Sequence, residues 1–314
     1  MRFVYCVDKN FNKQLLTSIS SLLRNTDEKV NISILHDDPI SFLDHKKKLE
    51  KFSNCNQIEI IEVNTDGIIF PNLFNSHVSK ATYFRIFIPK YITEKEYLIY
   101  LDADTVVLKN PLNIIKNEIK KLSENKNLIS ACLETNKEST IDIFERLNLK
   151  GEFYFNAGVI LIDNKSLQKR DVTSELLLTM SKLNEKIKYW DQDILNKYFD
   201  TKFLILDERL NVRIDDKSPR LNPVSDAHII HYAGSSKPWT LEGLLNTDSH
   251  YFQNNYLLAN NKSLYFMTTK WKLGTFKLLI KKIIDLSIFN NKDNLKIIFS
   301  TIYLLFQERG DRQS

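Results

Sequence analysis

The sequence predicts an α/β domain, a mainly parallel central sheet with flanking helices, followed by a C-terminal helical tail. Three observations predict it. Short apolar runs alternate with segments of helical period from Phe3 onward, the signature of βαβ units. One of those runs, Tyr97 to Leu101, leads straight into Asp102, as a strand does when it delivers polar groups to the ligand edge of such a sheet. Beyond about Asn246 the alternation gives way to lysine-bearing helical patterns.

The elements follow in order. Phe3 to Val7 reads as a first strand. Phe11 to Arg24 reads as a helix, because Leu15, Ile19, Leu22 and Leu23 fall on one face. Asn31 to Leu35 is a second strand, Asp37-Asp38-Pro39 a turn, Phe42 to Phe52 a helix and Ile58 to Val63 a third strand. A helix begins near Ser79 and continues through Tyr83 to Ile88. Tyr97 to Leu101 is a buried strand, and Leu128 to Leu133 and Val159 to Ile162 are two more. Trp190 to Phe199 is a helix, Asp207 to Pro223 is irregular, and His228 to Tyr232 is a late strand.

In the tail, Leu273, Phe276, Ile280, Ile283, Ile284 and Ser287 share one helical face, opposite Lys270, Lys277, Lys281 and Asp285. Leu295 to Phe306 is a second apolar stretch. The expected division is a catalytic domain over residues 1–246 and a basic amphipathic tail over 247–314. No repeat of solenoid period occurs.

Composition narrows the class. With 43% hydrophobic and 26% charged residues in 314, the chain is that of a soluble globular protein able to bury a full core. Cys6, Cys55 and Cys132 are odd in number and far apart. They suggest neither a zinc site nor a disulfide framework, but three reduced thiols in a reducing compartment. The apolar run at the N-terminus is too short for a signal peptide. The net charge of +5 is local: residues 262–314 hold ten Lys/Arg against four Asp/Glu, and the rest holds 34 against 35. The main body therefore carries no nucleic-acid signal.

The sharpest motif is Leu101-Asp102-Ala103-Asp104-Thr105 at the end of a buried strand. Two adjacent carboxylates repel unless a cation lies between them. A hard divalent metal with oxygen ligands would satisfy both and bridge a diphosphate. A polar turn that simply ends the strand explains the string as well. So does the nucleophile loop of a haloacid-dehalogenase-like phosphatase, with Asp102 as nucleophile, Asp104 as general acid and Asp215-Asp216 completing the site.

Two further constellations carry polar groups on apolar strands. In His231-Tyr232-Ala233-Gly234-Ser235-Ser236-Lys237-Pro238-Trp239, a histidine beside a metal and a lysine beside a diphosphate make chemical sense, and Gly234 allows close backbone approach. A core histidine and a surface lysine around a turn is the plainer reading. In Phe155-Asn156-Ala157-Gly158 the small residues leave room for a sugar and the amide can bond its hydroxyls. Asp191-Gln192-Asp193 opens a helix, where acidic residues are also favoured by capping and the dipole.

Together these segments resemble glycosyltransferase family 8, retaining transferases of the GT-A (Rossmann-like) fold, and in particular its bacterial lipopolysaccharide galactosyl- and glucosyltransferases. The ordered set is Val7-Asp8-Lys9-Asn10, Ala81-Thr82-Tyr83-Phe84-Arg85, Leu101-Asp102-Ala103-Asp104, Phe155-Asn156-Ala157-Gly158, Asp191-Gln192-Asp193 and His231-x-x-Gly234-x-x-Lys237-Pro238-Trp239. The resemblance implies that Asp8 and Asn10 hold the uridine and ribose, with the backbone at Cys6 lining the uracil. It implies Asp102, Asp104 and His231 as ligands of Mn2+ or Mg2+, with Ala103 between them at the donor site. Arg85 would lie near the donor phosphates and sugar, and Gly234 and Lys237 on the diphosphate. Asn156, Ala157, Asp191 and Gln192 would form the hexose pocket. Glu134, where relatives often have Asp, would face the acceptor.

The resemblance implies transfer of glucose or galactose from a UDP-sugar to a surface glycan such as lipopolysaccharide core or O-antigen, with Gln192, Asp191 and Asp104 in the catalytic set. Gln192 is a poor nucleophile, so a front-face substitution is expected, with Gln192 stabilising an oxocarbenium-like carbon. A sugar-binding relative without activity is the other class to weigh. The tail has the pattern of an interfacial helix pair, with Trp271 and Phe276 at an anionic lipid boundary and Lys270, Lys277, Lys281 and Lys282 on the headgroups. The membrane reading would place the expected enzyme in the cytoplasm, peripheral on the inner face of the membrane; the alternative is that these helices pack on the catalytic domain or on a second copy, with the lysines merely solvated.

Overall fold

Strands covered on both faces read as unbroken apolar runs, and the first strand of this chain is buried from end to end. The computed structural model describes residues 1–71, 73, 79–94, 96–134, 140–214, 223–234, 236–246, 248–261, 272–290 and 294–306. Its strands are β1 (Arg2–Val7), β2 (Val30–His36), β3 (Cys55–Glu62), β4 (Tyr97–Leu101), β5 (Thr105–Val107), β6 (Ile129–Leu133), β7 (Phe155–Asp163), β8 (Phe203–Ile205), β9 (Val212–Arg213) and β10 (Ile229–His231). Two compact units are formed, one from Met1–Arg213 and Lys217–His231, the other from Ile214–Asp216 and Tyr232–Ser314.

In the first unit seven strands form one sheet in the order β3-β2-β1-β4-β7-β6-β8. Four pairings are parallel, β2–β3, β1–β2, β1–β4 and β6–β8. β7 runs against both its neighbours, so the mainly parallel expectation holds with one reversed strand. A second sheet of three short strands has the order β5-β10-β9. The expected helix at Phe11 appears as Asn12–Arg24, burying Leu15, Ile19, Leu22 and Leu23.

Two expected helices take a different form. Pro39–Phe42 is a 3-10 turn, and the α-helix proper runs Leu43–Leu49. Lys80–Phe87 is also a 3-10 helix, capped by Ser79, followed by a short α-turn Ile88–Tyr91. Pro89 explains the break. A continuous α-helix would set its ring against the carbonyl four residues back, whereas the first turn of a new helix tolerates it. Helices Leu112–Ser123, Thr140–Leu147, Val172–Leu183 and Ser249–Asn260 add to those expected from sequence.

The second unit is helical. Trp239 is buried beside Phe252, ring centroids 4.9 Å apart. The Tyr232 hydroxyl donates to the Asp248 carbonyl at 2.7 Å and accepts from the Phe252 amide at 3.1 Å. The tail helices Lys272–Ile284 and Asn294–Phe306 bury Leu279 and Ile297 with Leu241, Leu244 and Ile288. Their other side is open: Leu273, Phe276, Ile280, Ile284 and Phe299 are all exposed. Ser287, expected on the same helical face, lies in a 3-10 turn beyond the helix. Among the described residues no helix is long and apolar enough to cross a membrane. Lys270, Trp271, Asp215 and Asp216 lie outside the described residues.

Candidate active site

The acidic pair stands where the two sheets of the first unit meet. β4 ends at Leu101, the chain turns through Asp102 to Asp104, and β5 leaves at Thr105 in the small sheet. The turn is fixed by the Asp102 carbonyl, which accepts from the Thr105 amide at 3.1 Å and its hydroxyl at 2.8 Å. β10 pairs antiparallel with β5 so that His231 lies directly opposite Thr105. That register brings the imidazole to the carboxylates: His231 Nε2 is 3.3 Å from Asp104 Oδ1 and 3.6 Å from Asp102 Oδ2. One ligand atom from each of the three lies within 4.8 Å of the others. Two carboxylate oxygens and an imidazole nitrogen are a donor set that suits Mn2+ and accommodates Mg2+.

Asp102 is held from behind. Its Oδ1 accepts from the Tyr100 hydroxyl at 2.5 Å and from Arg85 at 3.3 Å, leaving Oδ2 on the side of His231. Arg85 is itself buried and forks onto Asp191, at 2.5 Å from Nε and 2.8 Å from NH2, while NH1 also donates to the Ala157 carbonyl. Its Cζ lies over the Tyr100 ring, 4.9 Å from the ring centre. Burial works against the guanidinium charge, but Asp102 and Asp191 hold it protonated, well above its ordinary range. Burial likewise pushes the Asp191 carboxyl up to about 6, against the pull of Arg85. Arg85 thus joins Asp191, expected in the hexose pocket, to the metal-ligand candidate Asp102, more than its expected place near phosphates required.

Gln192 sits in a second network. Its Oε1 accepts from the Ala157 amide at 3.0 Å, and its Nε2 donates to Glu134 at 3.3 Å and to the Tyr154 hydroxyl at 3.4 Å. Glu134 also accepts from Asn156 at 2.9 Å and is ion-paired with Arg213. The helix Trp190–Tyr198 is pinned to β7 by Asn196, whose amide bonds both the N–H and the C=O of Phe155 at 2.7 and 2.8 Å. Asp193 accepts from the Lys188 and Tyr189 amides, Arg146 and Tyr154, so it anchors the start of the helix. These clamps set Asp191 and Gln192 against Asn156 and Ala157.

One expectation needs correction. Gly158 does not leave room for a sugar. A Cβ built on it would fall 2.6 Å from His231 Nδ1 and 2.9 Å from Nε2, so the space belongs to the imidazole ring.

At the first βα turn, Asp8 is buried and its Oδ1 accepts from the Asn10 amide at 2.8 Å, while Asn10 is exposed. Cys6 is buried in β1, and burial raises its thiol well above the ordinary value. Gly234 and Lys237 belong to the second unit. Gly234 has φ +84°, a left-handed conformation that favours glycine, and Lys237 donates to the Tyr232 carbonyl at 2.7 Å. Tyr100, Tyr154, Asn196, Asn211 and Arg213 were not expected from sequence. A tyrosine two residues before an Asp-x-Asp was the one available hint.

The profile of Glycosyl transferase family 8 matches residues 2–243. The Salmonella typhimurium protein lipopolysaccharide 1,3-galactosyltransferase is 27% identical over 264 residues, covering 79% of this chain and 76% of that one. The Escherichia coli lipopolysaccharide 1,2-glucosyltransferase is 26% identical over 254 residues, 76% and 72% of the two chains. A crystal structure of the galactosyltransferase LgtC, solved with donor and acceptor sugar analogues, superposes with TM-score 0.68 at 22% identity, covering 88% of this chain and all of that one. The chain belongs to glycosyltransferase family 8 and has the GT-A fold. The phosphatase reading of Asp102 and Asp104 is not favoured by that membership.

Proposed function

We propose that the chain transfers a hexose, glucose or galactose, from a UDP-sugar to a glycan acceptor of the bacterial surface, such as lipopolysaccharide core or O-antigen, with retention at the anomeric carbon. The observation that carries this reading is the Asp102/Asp104/His231 cluster, joined through Arg85 to the Asp191 and Gln192 pocket. A divalent ion held by those three would neutralise the diphosphate as it leaves. Asp8 and Asn10 are assigned to the nucleoside, and Gly234 and Lys237, three and six residues after His231, to the diphosphate. Asn156, Ala157 and Asp191 are assigned to the hexose hydroxyls and Glu134 to the acceptor side.

In the proposed step the acceptor hydroxyl attacks C1 from the face that UDP leaves. The bond from C1 to the phosphate oxygen breaks, and the acceptor proton passes to that oxygen. The Gln192 carbonyl, which accepts from the Ala157 amide at 3.0 Å and more weakly from Asn156 Nδ2 at 3.5 Å, would stabilise positive charge at C1 by turning its second lone pair from Asn156 to the sugar. The relatives named for lipopolysaccharide sugars support the acceptor class. The exposed apolar and lysine-bearing sides of the tail helices support peripheral attachment to an anionic membrane.

A panel of UDP-sugars tested for hydrolysis with Mn2+, with Mg2+ and with chelator tests the reading, followed by an acceptor panel. The expected result is metal-dependent turnover of UDP-glucose or UDP-galactose, nearly abolished by Asp104→Asn without loss of fold. Lys237→Ala should weaken UDP binding. Turnover unaffected by chelator, or cleavage of phosphomonoesters in place of UDP-sugars, would overturn it.

A further inference from the structure

The His231 ring can serve a cation through Nε2 only if its proton resides on Nδ1. Hydrogen positions on histidine and amide orientations have to be inferred from partners, and here one backbone amide decides the whole chain of them. The Gly158 N–H, which can only donate, lies 3.0 Å from the Asn156 side-chain oxygen. The Asn156 Nδ2 therefore faces the other way, toward a Glu134 oxygen at 2.9 Å. Asn211 meets the same Asn156 oxygen at 3.0 Å, so the Asn211 atom there must be its NH2 group. Its carbonyl oxygen is then left for His231 Nδ1, 3.0 Å away. An oxygen acceptor at that distance requires a proton on Nδ1. Nε2 is left with its lone pair toward Asp104 and Asp102.

The fold supplies the alignment. Asn211 is buried and immediately precedes β9, whose Val212 and Arg213 pair in parallel with Ile230 and His231 of β10. We propose that Asn211 is a positioning residue that fixes His231 as the Nδ1–H tautomer and so presents Nε2 as a metal ligand. Histidines that bind metals take their tautomer from the partner of the other ring nitrogen, and such partners carry about 10–100-fold of the metal affinity. The inference rests on the reading of Asp102, Asp104 and His231 as metal ligands, and it extends the machinery to a residue from a stretch the sequence showed only as irregular.

The test begins on the full, metal-free chain, labelled with 15N, using long-range ring 15N–1H correlation at a pH where histidines are neutral, with His231 assigned against a His231→Gln variant. The expected spectrum has Nδ1 protonated and Nε2 as the bare nitrogen. Mn2+ titration follows. Asn211→Leu should blur the tautomer pattern and weaken Mn2+ by roughly 10–100-fold. Asn211→Asp, which still offers an oxygen to Nδ1 but sets its other oxygen against that of Asn156, should keep the tautomer pattern and lose less Mn2+ affinity than Asn211→Leu. An Nε2–H ring in the wild type would overturn the proposal, as would wild-type Mn2+ affinity in a folded Asn211→Leu. If Asn211→Leu fails to fold, the wild-type spectrum and Asn211→Asp decide the matter. No sugar enters these measurements. A correct tautomer with Mn2+ binding but no UDP-sugar turnover would leave this inference standing and sink the functional reading alone.

Discussion

Gly158 and His231 occupy one volume: the imidazole lies where the glycine has no side chain, within 2.6 Å of the position a Cβ would take. The backbone around Gly158 is ordinary β7 strand, so sterics rather than a special φ explain the residue. Gly158→Ala must push the ring away or bend β7, at a cost of about 1–3 kcal/mol for overpacking. The expected outcome is a folded protein of lowered melting temperature whose Mn2+ affinity drops more than tenfold. Metal titration of the variant checks this, and undiminished affinity would mean that the ring has room to spare.

Arg85 is a fork, and its geometry matters as much as its charge. It bonds Asp191 through two nitrogens and Asp102 through a third. A lysine keeps the charge but cannot hold both carboxylates in one plane. Arg85→Lys should therefore lower kcat/KM by at least about tenfold with a small stability loss. Arg85→Ala leaves Asp191 buried without its guanidinium and should cost about 3–5 kcal/mol of stability. Steady-state kinetics and urea unfolding separate the two. Equal activity in wild type and Arg85→Lys would show that the fork is dispensable.

How much of this was readable beforehand depends on the length of the signal. Phe3 to Val7 in β1 and Tyr97 to Leu101 in β4 are unbroken apolar runs of five residues, β2 alternates apolar residues with Asn31 and Ser33, and Asp102 and Asp104 follow β4, so the main sheet and two of the three residues of the Asp102/Asp104/His231 cluster stood in the sequence. The small sheet did not. β5, β9 and β10 have two or three residues each, too few for a period, and the register that sets His231 opposite Thr105 is a tertiary fact. The family motif named His231 but gave no reason for its position. Asn211 and Arg213 were invisible because a lone polar residue in an irregular stretch looks the same whether it faces water or a buried imidazole. Gly158 was noticed and misread, since a small residue says that something is close and not what it is.

His36 gives the fold a pH dependence of known sign. It is fully buried, the Asp38 amide donates to its Nδ1 at 2.8 Å, and Nε2 faces the Asn12 side-chain oxygen at 2.8 Å. Nδ1 is thus an acceptor and the ring is neutral. Burial lowers its pKa, with Asp37, Asp38 and Asp8 pulling the other way. Burial lowers that of His45 too, helped by Lys48 and Lys13. An unfolded histidine titrates near 6.5, so below that value the unfolded chain binds more protons than the folded one. The stability these groups contribute is full above about pH 6.5 and is lost as pH falls through their folded pKa. Asp191, its carboxyl raised to about 6 by burial, works in the opposite sense over part of this range, so the histidine contribution is read as a difference: on acidification from about pH 7 to 5 the urea midpoint of His36→Gln should fall less, or rise more, than that of the wild type. Parallel midpoints in the two proteins would contradict the assignment of a neutral ring.

The tail can be tested without removing it. Leu279, Ile288 and Ile297 are buried with Leu241 and Leu244, and truncation would strip that cluster and confound loss of attachment with loss of fold. The outer stripe is the better target. Leu273 and Ile284 are 66% and 76% exposed, on the helix that also carries Lys277, Lys281 and Lys282. If this face meets anionic lipid, each lysine is worth on the order of 1 kcal/mol and the apolar side chains add their burial. Phe276→Glu with Ile280→Glu should leave the melting temperature nearly unchanged, because neither side chain belongs to the buried cluster. The double variant should lose binding to phosphatidylglycerol vesicles, and the wild type should release them as salt rises. Co-sedimentation with phosphatidylglycerol and with phosphatidylcholine vesicles reads both effects. Indifference of the wild type to the anionic vesicles would remove the membrane from the account, and a wild-type dimer that the double variant splits into monomers would assign the stripe to a second copy of the chain instead.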